Sequence, residues 1–260
     1  WAKSFGTNVG TDRSNAIALD GSGNIYITGL FCNKICSGPP QASPLEIEDI
    51  YVAKLNTSGN LVWQKRFAPS KVICENGGGG HDITVDASGN IYTTGWFQGT
   101  FKFGNTVALT LTSQGQGDVF TIKLNNTGTA LWARAGNGAG SDRGQSLYVD
   151  SGGNINVGGY YGNNGAGNIT FTPFTLADVD GKGTAPGPSV SNAFLVQYTS
   201  TGSINWAINP SPVTGIGNVV SSIIAGPSGT IRAFMPSLGI KCFSSTGTET
   251  ESMLIGDNFT

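Results

Sequence analysis

The strongest constraint on this chain is a five-residue turn that keeps coming back. It reads DGSGN at 20–24, DASGN at 86–90 and DSGGN at 150–154, with a worn copy, GPSGT, at 226–230. A second turn recurs out of phase with the first: NTSGN at 56–60, NNTGT at 125–129, TSTGS at 199–203 and SSTGT at 244–248. Glycine after Ser, Thr or Asn supplies the φ > 0 residue that a short hairpin needs. Short runs with period-2 alternation flank each turn, as in DIYVAKLN and DVFTIKLN. Trp1, Trp63, Trp132 and Trp206 occupy matching places, 62, 69 and 74 residues apart.

Four strands per unit of 60-odd residues predict a β-propeller built of four-stranded antiparallel blades. About four blade repeats fit the chain, as one domain or as part of a larger ring: 1–62, 63–131, 132–205 and a degenerate 206–260. Strand a is read at 15–20, 82–86, 145–150 and 219–225. Strand b falls at 24–31, 90–97, 154–161 and 230–235, and strand c at 49–56, 118–125, 192–199 and 239–244. Strand d falls at 61–67, 130–135, 204–208 and 249–255. Residues 1–5 read as strand d of a preceding blade, so the chain opens inside a motif and reads as a mature or truncated piece.

Composition narrows the class. Charged residues are 12%, about half the roughly 25% usual in soluble domains, and Ser, Thr and Asn take the outward positions instead. With a net charge of −2 and no basic stripe, a nucleic-acid partner is not expected. No apolar run has membrane-spanning length, so membrane insertion is not expected either.

NAIALDGSGNIYITGLF followed by DIYVAKLNTSGNLVWQKRF resembles the repeat of the SBBP (seven-bladed β-propeller) family, found in secreted and surface proteins of Bacteroidota. The likeness covers residues 1–209 well and 210–260 poorly. It implies a propeller scaffold, export to the cell surface or beyond, and no shared catalytic motif. Insertions at 32–48 and 162–190 and the worn last unit depart from that repeat. The Gly-x-x-x-Trp spacing of GNLVW and GTALW is also similar to the tryptophan-docking repeat of quinoprotein propellers. No other feature supports a quinone, and no cofactor is expected.

The a–b and c–d turns keep one length, whereas the b–c and d–a connections carry every insertion (32–48, 68–81, 98–117 and 162–191). Variable loops on one face of a rigid scaffold are where binding usually resides. Phe31, Trp96, Phe97, Tyr160 and Tyr161 end strand b on that face, as ligand-stacking rings or as plugs between blades. The recurrent tryptophans read as wedges between sheets. Asp20, Asp86 and Asp150 read as turn anchors that bond backbone two residues on. Asp12-Arg13 and Asp142-Arg143 read as ion pairs or loop anchors, and Asp178-Val-Asp180-Gly181 has a weak calcium-loop look.

Cys36 or Cys32 is expected to bridge Cys74 across two adjoining loops, with Cys242 free. A Cys3His zinc site using His81 is the competing reading, on loose spacing; no metal site is expected. No nucleophile–base pair is apparent, and no spacing selects a catalytic pair from Glu46, Glu48, Asp49 and Glu75. The expectation is a non-catalytic extracellular or cell-surface module for binding, adhesion or assembly, with a protein or glycan partner. The alternatives are a structural segment of a larger secreted or surface assembly, and a carbohydrate-active enzyme.

Overall fold

The computed structural model describes residues 1–2, 4, 6, 10–36, 45–71, 76–163, 167–178, 191–210 and 218–253. These form antiparallel sheets, most of four strands, consistent with propeller-like blades. Among the described residues helix is limited to two single turns, Val107–Leu109 and Pro227–Gly229. No helix among the described residues is long and apolar enough to cross a membrane. Two compact units divide the chain, Trp1–Ala135 and Gly136–Thr260.

In the first unit, β1 (Arg13–Leu19), β2 (Ile25–Cys36), β3 (Leu45–Leu55) and β4 (Leu61–Phe67) make the first sheet, in that spatial order. The second sheet uses β5 (Gly77–Val85), β6 (Ile91–Gln98), β9 (Asp118–Leu124) and β10 (Ala130–Gly138). Between β6 and β9 lies a small hairpin, β7 (Thr100–Lys102) and β8 (Thr110–Thr112). The first sheet turns Tyr26, Val52 and Phe67 toward the second, which answers with Ile83, Ile91, Ile122 and Leu124. Strand pairing sets which residues share a face, so one apolar set per sheet faces each neighbour.

The second unit repeats the plan. Here β11 (Ser141–Val149), β12 (Ile155–Asn163), β15 (Asn192–Tyr198) and β16 (Ile204–Ile208) form one sheet. The other comprises β17 (Ser222–Ala225), β18 (Ile231–Met235), β19 (Gly239–Phe243) and β20 (Glu249–Met253). Ala193, Leu195 and Trp206 meet Ile223, Ile231, Ala233 and Phe243 in their common core. A further hairpin, β13 (Ile169–Phe171) and β14 (Phe174–Leu176), pairs with the end of β10 through Asn137 and Gly138.

Strand positions agree with the sequence reading to within a few residues wherever a glycine turn bounds them. The connections do not. The stretch 32–48 is largely not loop, because β2 and β3 continue their ladder to the pair Cys36↔Leu45. Likewise β5 starts at Gly77, inside the connection read as 68–81. Trp1, Ala2 and Ser4 are not in a strand, yet the Trp1 ring lies over Gly59, where a Cβ would stand 2.5 Å from it.

Trp63 and Trp206 do the same. Trp63 Nε1 donates to the carbonyl of Asn126 at 2.9 Å, beside Gly128. Trp206 Nε1 donates to the carbonyl of Ser245 at 2.9 Å, beside Gly247. Each indole thus caps the c–d turn of the next sheet, and only glycine leaves room for it. Trp132 and Trp206 are buried, and Trp63 is half-buried.

Candidate functional site

At one end of the sheets the turns are nearly identical. Asp86 Oδ1 accepts from the backbone N of Ser88 and Asn90, and Oδ2 accepts from Asn90 Nδ2 and the Tyr92 hydroxyl, all at 2.8–3.0 Å. Asp20 repeats the set with Ser22, Asn24 and Tyr26. Lys54 and Lys123 lie over the Tyr26 and Tyr92 rings at 5.0 and 5.2 Å. In the third repeat Asn156 replaces the tyrosine and Gln197 the lysine. Gln197 Nε2 then donates to Asn156 Oδ1, and Gln197 Oε1 accepts from Asn205 Nδ2, each at 2.9 Å. These aspartates are turn anchors, as their spacing predicts.

Burial pushes the Asp86 carboxyl up, but the hydrogen bonds from Asn90, Tyr92 and Ser88 outweigh it and hold the group below its ordinary range. Asp20 is lowered by the same contest. The folded turn therefore prefers the carboxylate, and its stabilisation is complete above the unfolded value of about 3.9. It is lost as pH falls through the lower folded value. Asp86→Ala is expected to cost about 2 kcal/mol at neutral pH, the scale of hydrogen bonds to a charged acceptor. In urea titrations the gap to the parent should shrink toward pH 3, and an unchanged gap would contradict the assignment.

Within each unit the varied connections lie at the opposite end of the sheets, and these ends are the candidate sites. Two aspartates, Asp12 half-buried and Asp142 buried, pin the ends of strand b: Asp12 Oδ1 accepts from Cys32 N at 2.9 Å, and Asp142 Oδ1 from Gly162 N at 2.8 Å. They are loop anchors rather than substrate clamps. Asp49, buried in the middle of β3, accepts from Arg66 Nη2 at 2.9 Å. Arg66 in turn lies 5.1 Å over the Phe31 ring. Phe31 meets Tyr51 edge-on at 4.5 Å, and burial pushes the Tyr51 phenol up to about 12. Asp12, Arg13, Ser14, Leu30, Phe31 and Tyr51 line a half-open hollow of about 90 Å³. A more open hollow of about 300 Å³ lies at Lys102, Gly104, Asn105, Thr106, Val107 and Thr110, on the β7–β8 hairpin.

The five strand-end aromatics divide by strand parity. Phe31, Phe97 and Tyr161 are buried, while Trp96 and Tyr160 are half-buried. The first three pack inside the structure instead of offering a stacking face: inserted segments fold back over Phe97 and Tyr161, and Tyr51 and Arg66 lie against Phe31. Phe97 meets Phe101 of β7 at 5.9 Å. The Tyr161 hydroxyl donates to the carbonyl of Ala177, just past β14, at 2.7 Å and accepts from Asn209 at 3.2 Å. Trp96 and Tyr160 keep part of their surface toward solvent.

Cys32 is buried in β2 without a disulfide, which removes its pairing with Cys74; Cys242 is also unbridged, as expected. The Cys36 side chain and Cys74 lie outside the described residues, as do the Glu46 side chain, Glu75 and Asp180. His81 is part-buried in β5. Asp178 accepts from Asn192 Nδ2 at 3.0 Å, a loop tie rather than an open ligand. Among the described residues no group of three or more His, Cys, Asp or Glu is placed to hold a metal ion. The tyrosine arm of the Asp turn was missed, although Asp-x-x-x-Asn-x-Tyr at 20–26 and 86–92 is legible in spacing alone.

No protein-family model matches the chain. An uncharacterized WD repeat-containing protein of Acanthamoeba polyphaga mimivirus is 32% identical over 141 residues, 48% of this chain. The match spans only 9% of that relative's length. Among solved structures, a protein of unknown function from Dyadobacter fermentans aligns over 98% of this chain and 67% of its own, at 10% identity and a TM-score of 0.48. A catalytically inactive virginiamycin B lyase variant from Staphylococcus aureus, with quinupristin, aligns over 98% and 89% at 11% identity and a TM-score of 0.25. The WD-repeat likeness agrees in kind with a chain of repeated four-stranded sheets.

Proposed function

We propose that this repeat-containing β domain is a propeller-type binding module, exported to the cell surface or beyond, that engages a protein or glycan through its varied-loop end. One observation carries the reading. The anchored Asp turns keep one design, whereas the other end bears three different folded insertions: the extended β2–β3 ladder, the β7–β8 hairpin and the β13–β14 hairpin. Pinned loops lose less entropy on binding than free ones. Resemblance to the SBBP repeat supports the propeller and its export. The carbohydrate-active alternative draws on Glu46, Glu48, Asp49 and Glu75, of which Asp49 is tied to Arg66.

The test is a glycan and surface-protein array probed with the labelled chain. Replacing residues 103–109 with a two-residue turn should lower binding at least tenfold, while Asp20→Asn should leave it unchanged. Binding that survives trimming but fails with the altered turn would put the site at the other end.

A further inference from the structure

One anchor position in the second unit holds no loop, and it narrows the loop-end reading on which it rests. Counting back eight residues from the start of each a–b turn reaches Asp12, Asp142 and Asn218, with Gly78 in the second repeat. Asp12 and Asp142 accept from the N–H twelve residues after the turn begins, at Cys32 and Gly162. The matching donor for Asn218 is Leu238 N, which instead donates to the Met235 carbonyl at 3.0 Å and closes a tight turn. The ladder of β18 with β19 accordingly ends at Met235↔Gly239, with no insertion between them to pin. Asn218 is left 2% exposed, and no donor reaches its Oδ1. A buried acceptor without a partner is unfavourable, and folded chains keep few of them.

What lies beside it follows from the ladders. Gly158 faces the fourth sheet, since a Cβ there would meet Val220 and Ile223. Side chains alternate along a strand. Tyr160 therefore shares that face, with its pairing partner Ala193 and with Ser191 two residues before it. Residues 218–220 cross this face and are tied at both ends. Val220 N donates to the Gly159 carbonyl at 3.1 Å, and Asn218 N to the Ser191 carbonyl at 2.8 Å. Ser191 Oγ donates back to the Asn218 carbonyl at 3.1 Å. Tyr160 and Asn218 thus belong to one place. The corresponding groove of the first unit is filled: Leu30, at the place of Tyr160, lies 7% exposed against Gly79. Phe101 and Phe103 of the β7–β8 segment close it further against Phe97 and Phe67. The fourth sheet brings no such segment, and Tyr160 stays half-buried.

We propose that Asn218, Ser191 and Tyr160 form a subsite for one pyranose ring of a glycan. An amide offers an acceptor and a donor together, which is what a pair of neighbouring sugar hydroxyls requires. Ser191 Oγ, whose proton is engaged by Asn218, adds a second acceptor. The tyrosine ring gives an apolar face with a polar tip, matching the C–H face of a pyranose. A cation fits less well. The sister positions carry aspartate, whereas the amide at 218 brings no charge, and among the described residues no group of His, Cys, Asp or Glu is placed to hold a metal.

Methyl glycosides of glucose, galactose, mannose and N-acetylglucosamine, titrated into the whole chain, test this by two-dimensional N–H spectra. The Asn218 side-chain amide is identified by its loss in Asn218→Leu, which keeps the volume. At least one glycoside should shift that amide with a Kd on the order of 1 mM. Asn218→Leu and Tyr160→Ala should each weaken binding about tenfold, as the loss of a hydrogen bond or a stacking face would, while Tyr160→Phe should not. Asn218→Leu should also unfold at no lower a urea concentration than the parent, because an acceptor without a partner stabilises nothing. A lower midpoint would show the amide satisfied within the fold by a buried water, and would overturn the subsite. So would a chain that no glycoside shifts, or binding that Asn218→Leu and Tyr160→Ala both leave intact. Trimming residues 103–109 should leave glycoside binding unchanged, so this subsite and the loop-end reading fail separately.

Discussion

Replacing Trp206 with alanine is expected to remove about 3–5 kcal/mol of unfolding free energy, the range for truncating a large buried aromatic. That is a large share of the 5–15 kcal/mol by which a typical domain is stable. Two effects contribute, and their sizes differ. The Nε1–Ser245 hydrogen bond contributes about 1 kcal/mol net, and Ser245 is exposed enough for water to replace it. The rest is packing, because the indole belongs to the core shared with Ile223, Ile231 and Phe243. Trp63 makes the equivalent bond to Asn126 but is only half-buried, so Trp63→Ala should cost less. Urea unfolding followed by a probe within residues 136–260 measures the difference. A loss below about 1 kcal/mol, the hydrogen-bond share alone, would show that the indole is not a wedge. Full stability with lost partner binding would instead make it a site residue.

That wedge role was legible in the sequence because it repeats: one tryptophan, four residues after a turn glycine, in each of the units that keep the motif. The strands were legible for a similar reason, since hairpin turns need φ > 0 and only glycine supplies it cheaply. Gly23, Gly89 and Gly153 hold φ of 78°, 78° and 79°. The varied-loop end was harder to read. Four consecutive glycines at 77–80 look like a flexible connection, yet they form the start of β5. They are glycines because neighbours press on them: a Cβ on Gly80 would stand 2.0 Å from Thr28 Oγ1, and one on Gly78 2.9 Å from Ile50. Close approach and flexibility leave the same mark in a sequence. The strand-end aromatics show the same limit. Alternation places Phe97 and Tyr161 on one face, but only coordinates reveal that Phe101 and Ala177 come back to cover them.

The same steric argument yields the other large effect, at Gly95. It lies in β6 opposite Gly80, where β5 shifts register between Gly80 and Asp82. A Cβ there would stand 2.0 Å from the Gly79 carbonyl oxygen and 2.9 Å from the Phe120 ring. Gly29 and Gly159 face the carbonyls of Arg13 and Arg143 at 1.9 and 2.0 Å, each beside a register shift in strand a. A bulge bends strand a toward strand b at this level, and a glycine on strand b admits the carbonyl. The ring of Phe120 can yield, but the backbone oxygen cannot move without undoing the bulge. Gly95→Ala should therefore cost about 3 kcal/mol or more, the upper end for overpacking. Gly153→Ala is the control: it sits at φ 79° with nothing within 4 Å of its Cβ, so it bears only the left-handed penalty of about 1–2 kcal/mol. Parallel urea titrations of the two variants decide the matter. If Gly95→Ala proves no worse than Gly153→Ala, strand a yields at the bulge, and these glycines answer to turn conformation alone.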